Sequence, residues 1–162
     1  MFGEQLFKSK GKYLTIVEGE FDALAAYEML GSKWPVLSVR SGAQGAERDV
    51  KASLEYLESF DTVIINFDED KVGRESARRV ARLLKPSKAK IMSLPEGFKD
   101  ANDMLHKHDH RGYVAAWWAS KTGFSHQPVP LRVAYIPPGS ADTAAARGCQ
   151  VGQGRCRPHR KD

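Results

Sequence analysis

Four short apolar runs punctuate this chain: "YLTIV" at 13–17, "PVLSV" at 35–39, "TVIINF" at 62–67 and "AKIMSL" at 89–94. They are rich in β-branched residues, too short for helices, and apolar nearly throughout, a pattern that predicts strands covered on both faces. The stretches between them are helical in pattern. Phe21, Leu24, Tyr27 and Leu30 recur at helical spacing before Gly31, a helix-ending residue; a second helix is predicted over about 44–59 and a third over about 72–85, ending before Pro86. Strand and helix in alternation argue for an α/β domain of about four parallel strands with helices on both faces, because a parallel connection needs a crossover of about a dozen residues or more. In such sheets ligands bind beyond the carboxyl ends of the strands, where successive connections depart in opposite directions. The residues just after each strand are therefore the ones to search.

The chain has 162 residues, enough for one medium domain and some excess. The organised pattern occupies residues 1–120, and residues 121–162 read as an irregular linker or disordered tail, with 5 of the 8 prolines and no sustained apolar period. The net charge of +5 suggests nucleic acid until it is divided: residues 1–122 carry 19 Lys+Arg against 18 Asp+Glu, so most of the excess lies beyond them. No run approaches the roughly 20 apolar residues of a membrane span. The two cysteines, Cys149 and Cys156, form no disulfide framework and suit a reducing compartment, so the sequence reads as a soluble, unexported cytoplasmic protein.

Acidic residues crowd the strand ends. After the first strand comes "EGEFDAL", in which Glu18 closes the strand, Gly19 allows a turn and Asp22 falls in the first helical turn. After the third comes "DEDKVG", where alternation along extended backbone points Asp68 and Asp70 one way and Glu69 another. If the first and third strands are neighbours, Glu18, Asp68 and Asp70 converge. Two carboxylates about 5 Å apart repel by roughly 3 kcal/mol at an effective dielectric constant near 20, so such a cluster takes up a proton or a cation. Oxygen ligands with no Cys or His beside them point to Mg2+ or Mn2+. Asp100, in "FKDANDML", is a helix-cap candidate that returns to the same sheet edge as a further ligand.

Other features read more weakly. The segment "VRSGAQGAERD" opens a helix at Gly42 to Gly45, whose amides offer a phosphate cradle with Arg40 as its partner; a plain tight turn is an equal reading. Arg74, Arg78 and Arg82 share one face of the third helix, either as a nucleic-acid contact stripe or as a solvated face. His106 and His110 lack further zinc ligands at suitable spacing, Cys149, Cys156 and His159 lack a fourth partner, and no Ser or Cys is set with His and acid as a triad.

Taken together, E-G-x-x-D at Glu18, Gly19 and Asp22 and D-x-D-x-x-G at Asp68, Asp70 and Gly73 resemble the Toprim domain shared by primases, topoisomerases and related nucleases. The blocks "VEGEFDAL", "PVLSVRSGAQGA", "FDEDKVGR" and "LPEGFKDANDML" are similar to the primase half of phage-type bifunctional primase-helicases, over about residues 1–120. The resemblance implies a Rossmann-like Toprim fold in which Glu18, Asp68 and Asp100 bind divalent metal, with Asp70 beside them, Asp22 in support and Lys99 with Arg40 on phosphate. It implies Mg2+-dependent joining of ribonucleotides into a short RNA primer on single-stranded DNA, with a replicative helicase as partner, in a bacterial or phage-infected cell. Glu18 as ligand and Glu18 as general base both stand. The zinc-binding module and basic subdomain of related primases do not precede this sequence, and no G-x-x-x-x-G-K-[ST] follows, so a fragment or minimal form is expected. Toprim nuclease-like cleavage and a non-catalytic DNA-binding or assembly module are the alternatives.

Overall fold

The computed structural model describes residues 1–122; the expectations for the tail from residue 123 on, with Cys149, Cys156 and His159, lie outside the described residues. The elements in chain order are β1 (Gly11–Val17), α1 (Glu20–Met29), β2 (Val36–Ser38), α2 (Gly42–Ala52), α3 (Leu54–Glu58), β3 (Phe60–Asn66), α4 (Lys71–Ala81), β4 (Ala89–Ile91), α5 (Ala101–His106), α6 (His110–Trp118) and β5 (Lys121–Thr122). One sheet of order β2-β1-β3-β4-β5 results, parallel in its first four strands, with β5 antiparallel on the β4 edge. The expected α/β architecture, four parallel strands covered by helices, is the one observed. The chain leaves β1 toward β2 through α1, then returns past β1 to β3. The connections therefore diverge at the β1–β3 crevice, where Val17 lies in register with Asn66.

Both sheet faces are buried, as uninterrupted apolar runs require. On one face Leu14, Ile16, Leu37, Val63 and Ile65 pack with Ala46 and Val50 of α2, Leu57 of α3 and Ala77 and Val80 of α4. On the other, Val17, Val36 and Ile64 pack with Ala23, Ala26 and Met29 of α1, Met104 of α5, and Tyr113 and Trp117 of α6. Each large side chain so buried contributes about 1.5–3 kcal/mol. Helix α6 is also pinned by polar bonds: Trp117 Nε1 donates to Thr15 Oγ1 at 2.9 Å and the Tyr113 hydroxyl to Asn66 Oδ1 at 2.8 Å. Burial pushes the Tyr113 phenol far above its ordinary range, so it remains a donor there.

Three expectations need correction. The spacing of Phe21, Leu24, Tyr27 and Leu30 locates α1 but only half of it marks the inward face: Leu30 is buried and Tyr27 packs against the core, whereas Phe21 is 77% and Leu24 59% exposed and Ala23, Ala25, Ala26 and Met29 are buried instead. Bulky Tyr113 and Trp117 occupy much of that layer, and α1 adds three alanines beside Met29. The helix expected over 44–59 is two helices broken at Ser53, whose hydroxyl donates to Glu4 Oε2 at 2.6 Å and so leaves the helical path toward the N-terminal segment. Helix α4 ends at Ala81 rather than near 85, with the Leu83 amide turning back to the Val80 carbonyl at 3.0 Å.

Candidate metal centre

Glu18 is the first residue beyond β1, and its carboxylate bridges two neighbours. Oε1 accepts the Ala43 amide of the first turn of α2 at 3.0 Å, and Oε2 accepts the Asp68 amide just after β3 at 3.4 Å. Gly42 makes the first approach possible by turning the chain at φ +60°, a conformation that side chains with a Cβ avoid. Burial raises the Glu18 proton affinity above the usual glutamate range, the Asp68 charge adds to it, and these outweigh the two amide bonds; Asp70 contributes in the same direction.

Asp68, Asp70 and Asp100 complete the group. Lys99 Nζ lies 3.2 Å from Asp68 Oδ2 and 3.5 Å from Asp100 Oδ2. Asp70 caps α4 by accepting the Gly73 amide at 2.7 Å, and Asp100 caps α5 by accepting the Asp103 amide at 2.7 Å. Each cap commits one carboxylate oxygen to a named amide. Gly73 is small of necessity, because a Cβ there would fall inside contact distance of the Asp68 carbonyl oxygen and 3.0 Å from its backbone carbon and nitrogen. Glu69 faces elsewhere: its Oε1 accepts the Leu94 amide at 2.7 Å, and it pairs with Arg74 at 3.7 Å.

Asp22, from the first turn of α1, accepts the Asn102 amide at the start of α5 at 3.1 Å and so ties the two helices beside the centre. Its pKa is pushed up to about 6, chiefly by burial, with the charges of Asp100 and Asp68 adding to the effect. Because this exceeds the unfolded value of about 3.9, the associated stability is full below about pH 4 and is lost as pH rises through about 6. Asp22→Asn keeps an acceptor for the Asn102 amide and removes the charge. With chelator present, the variant is expected to be about 1–2 kcal/mol more stable than the parent at pH 7.5, after discounting for solvent screening, and indistinguishable near pH 4. Urea unfolding at the two pH values checks both the gain and its disappearance.

The remaining candidates are dispersed. Arg40 is exposed, and the amides of Arg40 and Ser41 donate to Asp49 Oδ2 at 2.7 and 3.1 Å. Within the Gly42–Gly45 cradle itself the Ala43 amide is already held by Glu18. Gly45 is packed against Ser41 in the first turn of α2, where an added Cβ would collide with the serine side chain. Arg74 is turned onto Glu69, whereas Arg78 and Arg82 are exposed and have no ion-pair partner among the described residues. Arg79, close to that stripe, pairs instead with Glu47 at 2.8 Å. Sequence reading missed Asp49, whose carboxylate accepts two main-chain amides, and Asn102, which donates its own.

The donors around the crevice are all carboxylate oxygens, the chemistry that suits Mg2+ or Mn2+. Glu18, Asp68, Asp70 and Asp100 fit such an ion in kind. Among the described residues, however, no three acidic, His or Cys side chains are drawn together closely enough to enclose an ion as they stand. An ammonium, that of Lys99, lies against two of the four acids.

Residues 15–105 match the family described as Toprim-like, an interval that contains every acid of the centre. The chain belongs to the Toprim-like family. Over 95 residues, 59% of its length, this Toprim chain is 38% identical to the DNA helicase/primase of Enterobacteria phage T3 and covers 16% of that protein. Among solved structures it is similar to the primase fragment of the bacteriophage T7 primase-helicase, with a TM-score of 0.65 and 32% identity over 71% of this chain and 46% of that one. It is also similar to a chain in the structure of the T7 lagging-strand DNA polymerase interacting with primase domains of two gp4 subunits bound to an RNA/DNA hybrid and dTTP. There the TM-score is 0.66 and the identity 31%, over 71% of this chain and 58% of that one. The chain thus spans less than two thirds of each of these three phage proteins. Among the described residues no helix is long and apolar enough to cross a membrane.

Proposed function

We propose that residues 1–120 are a primase catalytic domain that joins ribonucleotides into short RNA primers on single-stranded DNA with the help of Mg2+ or Mn2+. The observation that carries this reading is the bond from the Asp68 amide to Glu18 Oε2, which brings acids 50 residues apart together at the divergence point of the sheet. The T3 and T7 relatives support the choice of primase among Toprim chemistries.

In this reading the 3'-hydroxyl of one nucleotide attacks the α-phosphate of the next, the new phosphodiester forms, pyrophosphate leaves and the hydroxyl proton passes to a base. Bound cation supplies neutralisation of phosphate charge and acidification of the attacking hydroxyl. Asp68, Asp70 and Asp100 would hold it, with Glu18 as a further ligand or as the base. Held by the Ala43 and Asp68 amides at the β1–β3 crevice, Glu18 is placed for either role. Lys99 and Arg40 serve the triphosphate, with the Gly42–Gly45 turn beside them. Arg74 and Arg78, on the helix that starts directly after Asp70, and Arg82 at its C-terminal cap serve the template backbone. A replicative helicase is the natural partner, in the cytoplasm of a bacterial or phage-infected cell.

Incubating the whole chain with single-stranded DNA, labelled ribonucleotides and Mg2+ tests this. Labelled oligoribonucleotides that appear only with template and metal, and are missing with Asp68→Asn, are the expected result. Shortened DNA without extension would replace primase by nuclease. An Asp68→Asn variant that matches the parent would remove these acids from the reaction.

A further inference from the structure

Lys99 is anchored at its backbone and exposed along its side chain. Its carbonyl accepts the Glu69 amide at 2.9 Å and its own amide donates to Asp103 Oδ2 at 3.3 Å, which ties its main chain to both the turn after β3 and α5. Its side chain is 65% exposed, yet its ammonium lies on Asp68 and Asp100 together. A solvent-exposed lysine carries its charge throughout the neutral range. One exposed ammonium thus lies against two of the four acids in the centre.

A divalent cation needs the same oxygens. An ammonium and a doubly charged ion cannot share Asp68 Oδ2 and Asp100 Oδ2 at contact distance without strong like-charge repulsion, so arrival of the ion must send the ammonium elsewhere. The anchored backbone restricts it to the reach of a four-carbon stem around the crevice. A nucleotide brought there by the ion presents dense negative charge within that reach, and lysine is a common point-charge partner of phosphate.

We propose that Lys99 is an exchangeable counter-ion: it holds Asp68 and Asp100 until a divalent cation displaces it, and then pairs with the triphosphate that the cation binds. This inference rests on the reading of Glu18, Asp68, Asp70 and Asp100 as a metal centre, and it adds an ordered coupling between ion and nucleotide.

The coupling has opposite signs for the two ligands, which makes it testable without any turnover. In Lys99→Met, which keeps the stem and loses the charge, Mn2+ affinity measured by calorimetry without nucleotide is expected to rise about 2- to 30-fold, the range spanned by two exposed ion pairs. ATP affinity in saturating Mn2+ is expected to fall by a similar factor, about 3- to 30-fold. Lys99→Arg retains the charge and should hold both affinities within about twofold of the parent. Mn2+ affinity that is unchanged or weaker in Lys99→Met, or ATP affinity that is unchanged, overturns the exchange. Failure of the parent chain itself to bind Mn2+ is a different outcome: it removes the metal centre, and the exchange with it.

Discussion

Gly73→Ala is expected to destabilise the domain by about 2–3 kcal/mol and to deform the turn that presents Asp68 and Asp70. Helix propensity alone predicts the reverse sign, since alanine within a helix is better than glycine by about 1 kcal/mol. Packing decides the matter. The added Cβ meets the Asp68 carbonyl and stands 3.0 Å from the backbone carbon and nitrogen of the same residue, and backbone atoms cannot rotate aside as a side chain does. Either the first turn of α4 moves outward, weakening the packing of its Ala77 and Val80 against the sheet, or the 67–70 segment moves and takes Asp68 away from Glu18. Urea unfolding of Gly73→Ala beside Glu75→Ala, an exposed position on the same helix, isolates the clash from propensity. Equal or greater stability in Gly73→Ala would show that the close approach of α4 to Asp68 is not tight.

The glycine of D-x-D-x-x-G thus has a packing reason that no pattern of residue types displays. Much else was legible. The four parallel strands were readable because β-branched apolar runs flanked by helical stretches have few other solutions, and the crevice followed from the parallel order. What escaped depended on tertiary neighbours. The inward face of α1 combines Ala23, Ala25 and Ala26 with Met29, and alanines carry little weight in an apolar pattern; it is Tyr113 and Trp117, far along the chain, that share the same layer. Helix α6 escaped because its buried side chains are few, Tyr113 and Trp117 one turn apart, with the exposed Trp118 beside them. The edge strand β5 has two residues, too few for any period to register.

The same division runs through the candidate centre. Glu18, Asp68 and Asp100 drew attention because they end strands or open a helix, positions that sequence displays. The Asp22 bond to Asn102 joins residues 80 apart through a main-chain amide, and any residue at 102 other than proline would supply that donor. The contact of Asp49 with the amides of Arg40 and Ser41 is of the same type. Lys99 could be read as a phosphate contact, but its simultaneous approach to Asp68 and Asp100 needs the turn after β3 and the start of α5 to be placed side by side.

The centre's capacity for a divalent ion is most directly measured by titrating Mn2+ into the whole chain in a calorimeter, for the parent and for the Asp68→Asn, Asp70→Asn double variant. Asparagine caps helices about as well as aspartate, so α4 and its Gly73 amide bond survive the change while two charged ligands are lost. Neighbours that merely support metal ligands are worth about 10- to 100-fold in affinity, so removing two ligands is expected to weaken binding at least about 100-fold, beyond detection for an ion of modest affinity. Saturable Mn2+ binding by the parent and a flat trace for the variant is the predicted result. Matching isotherms would mean that these acids meet at the crevice for some purpose other than holding a metal.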